Sequence, residues 1–269
     1  MTKEMTLSPR ELQYIAALTD ATELLGISDA FFGMEDGEIL QEAQRLRTSL
    51  EKKGYAEMDF DGGFTLTAEV REAVDICADC DVFIVADKNR ADKPQLREQY
   101  YLKDGRTIKV SDINGSYLLE EMSGTEEVLE SITGDIEWTP SAPSQLQCVS
   151  LKKDMLAGLK SRLDGFDESG GVSALTTSGC DELSAKMIAD GLFRKAHYYA
   201  VVAIVCRGEQ KGVHSAMLIE TDSGIYKLTP VANSGEELIR FDPLNHSRAK
   251  SALADVVLGV FPEVSEGFK

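Results

Sequence analysis

Apolar positions follow two different rhythms along this chain. In the first third they recur every three to four residues. Leu12, Ile15 and Ala16 form a stripe after Ser8-Pro9-Arg10-Glu11. There Ser8 can cap a helix, Pro9 suits its first position and Glu11 can complete a capping box. Gly26 is the expected stop of this helix. Ile39, Ala43, Leu46 and Leu50 predict a second helix that ends at Gly54. Ala56, Met58 and Phe60 then alternate, Asp61-Gly62-Gly63 turns, and Phe64 and Leu66 return, which predicts a hairpin. Thr67 is placed to cap a third helix carrying Val70, Val74 and Cys77.

The rhythm then shortens. VFIVA at 82–86 reads as a buried strand. Strands follow near 96–102, 107–110 and 117–122, and a short helix at about 125–132. The proline-containing stretch TGDIEWTPSAPSQ is the best candidate boundary. After it come a helix at about 151–163, a Gly/Ser-rich loop over 165–179, and a helix at about 180–193. Strands are expected at 198–206, 213–220, 225–230 and 237–242, then a helix at about 246–260.

The second series repeats the first. Order, turn positions and spacings agree between about 67–132 and 178–260, although few residues match. We read an internal duplication of a helix, a four-stranded antiparallel meander and a helix. Each copy carries too small an apolar face to fold alone. The expected architecture is therefore a single α+β domain over 1–269: two pseudo-two-fold-related halves of antiparallel sheet plus helices, with an N-terminal helical, winged-helix-like segment at 7–66.

Charge narrows the functional classes. The chain has 46 acidic against 28 basic residues, a net charge of −18. Such a surface repels phosphate backbones, so no nucleic-acid partner is expected. No apolar run reaches the roughly 18 residues of a membrane span, so no membrane insertion is expected. The opening MTKEMTLSPREL has neither a basic nor an apolar leader region. Five cysteines without a short secreted framework point to a reducing cytoplasm.

Three constellations could carry function. Cys80 completes a CxxC with Cys77, but at the wrong end of a helix and beside Asp79 and Asp81, so structural thiols are expected. Ser178-Gly-Cys-Asp181 resembles a capping box that places Cys180 at a helix start, and His214 opens a later strand. Together they would make a papain-like cysteine hydrolase, with Asn233 available to orient the ring. His214 aligns with Leu96 of the first copy, so the position has no fixed polar role. His197 and His246 read as surface or capping residues. The helix after Gly37 and its hairpin would make a winged-helix regulator, with Arg45, Arg47, Lys52 and Lys53 on phosphates. Its wing tip, Asp59-Phe60-Asp61, opposes that. No phosphate loop or metal pattern appears, and no cofactor is expected.

Several features combine to resemble one family. They are the N-terminal helix and hairpin, two α/β halves of similar build, the late strand GIYKLTP and the terminal FDPLNHSRAKSALADVVLGVF. Over about 7–261 the chain resembles the EspG family, the ESX secretion-associated chaperones of type VII secretion. The resemblance implies a fold without enzymatic activity and a cytoplasmic protein that holds a helical secreted partner soluble, its partner being a helical secreted protein or a secretion-system component. It also implies a grip made by a central hairpin loop and the C-terminal helix. The matching positions are Lys88, Asn89, Arg90 and Pro94 in the loop and Val257 among Leu253, Val256 and Val260 of the helix, with Leu96 and Tyr100 as the hairpin's own alternative. This chain is more acidic than the family, and its central loop is short and polar.

Overall fold

The computed structural model describes residues 4–19, 21, 24–89, 95–134, 136, 146–163, 168–193, 197–206, 212–221, 224–233 and 236–261. Within these the protein is mixed α+β. It opens with β1 (Met5–Leu7), α1 (Pro9–Leu18), α2 (Asp36–Lys52), the small hairpin β2 (Ala56–Met58) and β3 (Phe64–Leu66), and α3 (Ala68–Ala78). A meander follows, made of β4 (Val82–Asn89), β5 (Leu96–Lys103), β6 (Arg106–Ile113) and β7 (Ser116–Met122), with α4 (Thr125–Thr133) after it. Then come β8 (Val149–Lys152), α5 (Lys153–Leu163), α6 (Glu168–Thr177) and α7 (Glu182–Phe193). The second meander is β9 (His197–Val205), β10 (Gly212–Thr221), β11 (Gly224–Asn233) and β12 (Glu236–Leu244), closed by α8 (His246–Leu258). Ten strands hydrogen-bond in the order β1-β7-β6-β5-β4-β9-β10-β11-β12-β8. Each meander therefore runs outward to a short edge strand taken from the start of its own series.

The chain divides into two units. The first comprises Met1–Val85, Arg97–Val128 and Ile204–Val213. Its core lies between the helices and one face of the first meander. Tyr101 pairs with Ile108, Val110 with Leu119 and Leu119 with Met5, so these side chains share a face. They pack with Leu12, Ile15, Val70, Val74 and Cys77. The second unit comprises Ala86–Leu96, Leu129–Ala203 and His214–Lys269. Ile219, Tyr226, Phe241, Val149 and Leu151 cluster there with Leu175, Ala185 and Ile188. Tyr226 meets Phe241 edge to face at 6.1 Å, an arrangement that aromatic pairs favour.

Local chemistry explains most boundaries. Ser8 accepts from Glu11 N while Glu11 Oε2 accepts from Ser8 N, the reciprocal box that the sequence predicts. Thr67 precedes α3, with extended backbone and no side-chain cap bond. Gly26 does not end α1, which stops at Leu18. Instead Gly26 sits in the following loop at φ +74°, where an added Cβ would lie 2.7 Å from Gln99 Nε2 and Phe83 Cζ. Only glycine meets both demands.

Three elements differ from the sequence reading. β1 and β8 are edge strands of three and four residues, too short to show a period. The stretch at 168–177 is a helix, although Gly170 and Gly171 argue for a loop. Packing of Leu175 into the second core outweighs a propensity deficit of about 1 kcal/mol per glycine.

Candidate functional site

Cys180 lacks the surroundings of an activated nucleophile. The cap of α7 is Asp181, whose Oδ1 accepts from Ser184 N at 3.0 Å and whose carbonyl accepts from Ala185 N. Cys180 precedes the cap and packs with Ala185 in the second core, as a hydrophobic staple does. It is 4% exposed. Burial, then the charge of Asp181, pushes its thiol above the ordinary value, opposite to what an attacking thiolate needs. His214 is exposed on β10 and lies beside Gly259, at the far end of α8. The helix-start thiolate expected from Ser178 is thus corrected: Ser178 spends its hydroxyl on Ala174 O, and Asp181 holds the cap.

The CxxC thiols behave as core residues. Cys77 and Cys80 are buried, and burial raises both, Cys80 up to about 12 with Cys206 as its next cause. Among the described residues no group of His, Cys, Asp and Glu could hold a metal ion.

Two cations of the wing-like segment, Arg47 and Lys53, are tied to groups within it. Arg47 Nε donates to Tyr14 OH at 2.8 Å and its guanidinium lies 5.5 Å over the Phe64 ring. Lys53 Nζ donates to Glu11 Oε2 at 2.7 Å and to Thr6 O. Arg45 and Arg10 both reach Glu42. Arg47 and Lys53 thus support the helix pair, whereas Arg45 and Lys52 are exposed.

The positions expected to grip a partner separate into three groups. Asn89 ends β4 and Leu96 begins β5; both are partly buried, and between them runs the connection that contains Arg90 and Pro94, which lie outside the described residues. Gln95 Nε2 donates to Tyr198 OH at 3.1 Å at the foot of this connection. Lys88 is 7% exposed, and its ammonium donates to Ser131 O on α4, so it anchors β4 rather than the surface. Tyr100 and Val257 are each 0% exposed and are corrected from groove residues to core residues. Alternation puts Tyr100 on a strand face where its hydroxyl donates to buried Glu98, which Lys109 Nζ meets at 2.7 Å. Val257 stands at i+8 from Ala249, and Ala249, Ala252, Leu253, Val256 and Val257 together make one broad buried stripe.

Sequence reasoning missed one polar cluster. Glu220 is 2% exposed on β10, with His197 Nδ1 at 3.5 Å and Tyr199 OH donating at 3.4 Å. His197 and Tyr199 are two apart on β9 and so share a face, a signal the sequence carries only once β9 and β10 are known to be neighbours. A second missed feature is a cleft of about 540 Å³ between α1, α2 and the loop that joins them.

No protein-family model matches the chain, and no curated protein matches it. Among solved structures, the chain is similar to the type VII secretion system chaperone EspG5 of Mycobacterium tuberculosis, determined in complex with the PE25–PPE41 dimer. The TM-score is 0.65 at 13% identity, over 97% of each chain. The fold is therefore EspG-like. Among the described residues no helix is long and apolar enough to cross a membrane.

Proposed function

We propose that the protein is a non-catalytic cytoplasmic chaperone that binds a helical, type VII-like secreted protein and keeps it soluble. The observation that carries this reading is the likeness of fold to EspG5 over nearly the whole of both chains. The raised, buried Cys180 thiol weighs against the hydrolase reading, and the internally tied Arg47 and Lys53 weigh against the winged-helix regulator. The element order helix–meander–helix occurs twice, which fits the same reading. On it, the working surface is the β4–β5 connection. Asn89 and Leu96 flank it, Arg90 and Pro94 belong to it, and Lys88 braces its root. The partner would present an apolar helical tip, and the acidic surface would orient it.

The test is co-expression with a small helical type VII secreted protein, scored by its soluble fraction and by co-elution. Leu96→Asp should remove the gain in solubility while leaving the melting temperature of the chain within about 2 °C. A partner that is equally soluble with and without the chain would overturn the proposal.

A further inference from the structure

The cleft between α1 and α2 is apolar in its lining and acidic in its surroundings. Ala16, Ala17, Leu24, Ile27, Ile39 and Ala43 line it. Its volume of about 540 Å³ lies within the range of sites that take a ligand or a row of side chains. Large apolar side chains continue onto the adjoining surface: Phe32 is 89% exposed and Leu40 70%. Both follow directly on lining residues, Phe31 and Ile39.

The polar groups of the cleft are already committed. Gln13 Nε2 donates to Ser28 O at 3.0 Å, and its Oε1 accepts from Ala30 N at 2.6 Å, so one side chain clamps the loop onto α1. Tyr14 OH receives the Arg47 bond. Farther along, Tyr101 OH donates to Leu25 O and Gln99 Nε2 to Gly26 O. The loop wall is thus fixed in place before any ligand arrives, which lowers the entropy cost of binding. A small polar molecule would find few donors or acceptors to orient it. An array of apolar side chains needs none.

Charge selects among apolar occupants. From Ile27 to Gln44 the chain carries Asp29, Glu35, Asp36, Glu38 and Glu42 and no Lys, Arg or His. Arg10 and Arg45 are drawn to Glu42, and Arg47 is held on Tyr14 and over the Phe64 ring. A second copy of this chain, itself at −18, would meet like charge, as would an anionic membrane. We infer that this cleft is a docking site for a basic amphipathic helix of another protein, one whose apolar stripe fills the cleft while flanking Lys and Arg meet the acidic rim. This surface lies in the N-terminal segment and shares no residue with the β4–β5 connection, so it stands or falls independently of the chaperone reading.

The probe is a fluorescein-labelled helical peptide of 18 residues (a chosen length) with Leu at i, i+3, i+4 and i+7 and Lys elsewhere, titrated against the full chain by anisotropy. The same peptide with Glu for Lys is the charge control. Ala17 is exposed on α1 and Ala43 partly exposed on α2, so Ala17→Trp and Ala43→Trp would fill the cleft from its two walls without changing net charge. The expected result is saturable binding of the Lys peptide, weakened about tenfold or more by at least one Trp variant that melts like the parent. Binding should also weaken with added salt and be absent for the Glu peptide. Equal binding by both folded Trp variants would mean adhesion to the acidic surface at large and would overturn the inference. So would failure of the Lys peptide to bind, or equal binding of the Glu peptide.

Discussion

Glu11 joins helix start, core and pH dependence in one side chain, and its removal should be costly. It is 2% exposed, and three donors converge on it at 2.7 Å: Ser8 N, Ser49 Oγ and Lys53 Nζ. A hydrogen bond to a charged group contributes about 1.5–3 kcal/mol net, and bonds to one acceptor do not add in full. Lys53 is 36% exposed, so its share is at the low end, about 1 kcal/mol. Glu11→Ala deletes all three bonds and the capping box, and should lower stability by about 2–4 kcal/mol. In thermal unfolding that is a fall of roughly 4–12 °C for a chain of this size. Burial raises the Glu11 carboxyl, but the bonds from Lys53, Ser8 and Ser49 with the Lys53 charge outweigh it, and the pKa is lowered from the ordinary 4.5. A carboxyl lowered by folding stabilises the protein above its unfolded pKa, and that contribution is lost as pH falls through the folded one. Urea unfolding of parent and variant at pH 7 and at descending pH gives both quantities. The gap between them should be widest at pH 7 and narrow below about pH 4.5. A gap under about 0.5 kcal/mol at pH 7, or one that widens in acid, would refute the reasoning.

Three further outcomes follow from single residues. Val257→Ala should lose about 1.5–3 kcal/mol in urea unfolding because the side chain is wholly buried, whereas a groove residue would move stability by less than 0.5. Gly26→Ala should cost at least about 1 kcal/mol by the same assay, since both its positive φ and its contact with Gln99 and Phe83 forbid a Cβ; an unchanged midpoint would contradict the loop geometry. Iodoacetamide at neutral pH should modify exposed Cys148 before Cys180, as followed by peptide mass; a fast Cys180 that slows in His214→Ala would return the hydrolase to consideration.

Much of the fold was readable because its rhythms are strong. The capping box at Ser8, the hairpin turn at Asp61-Gly62-Gly63, and the strand rhythm of both meanders each state their structure locally. What was not readable depends on distant partners. β1 and β8 exist because β7 and β12 offer free edges, and α6 forms because the second core accepts Leu175. The same limit governed the site. Val257 reads as lying beside the α8 stripe only if that stripe is narrow, and its width is set by what α8 packs against. Cys180 and Asp181 are adjacent in sequence, so composition favours a thiol at a helix start. Which of the two becomes the cap is decided by a single bond to Ser184 N. The α1–α2 cleft left no periodic mark at all, since its lining is drawn from two helices and a loop.

The central claim is that the β4–β5 connection receives a helical secreted partner. Hydrogen exchange of the chain alone and saturated with a co-expressed partner measures this directly. The account predicts slower exchange in peptides covering residues 86–98, with little change at α7, where Cys180 and its cap lie. Unchanged exchange across 86–98 in a complex that demonstrably forms would contradict it and place the partner elsewhere on the chain.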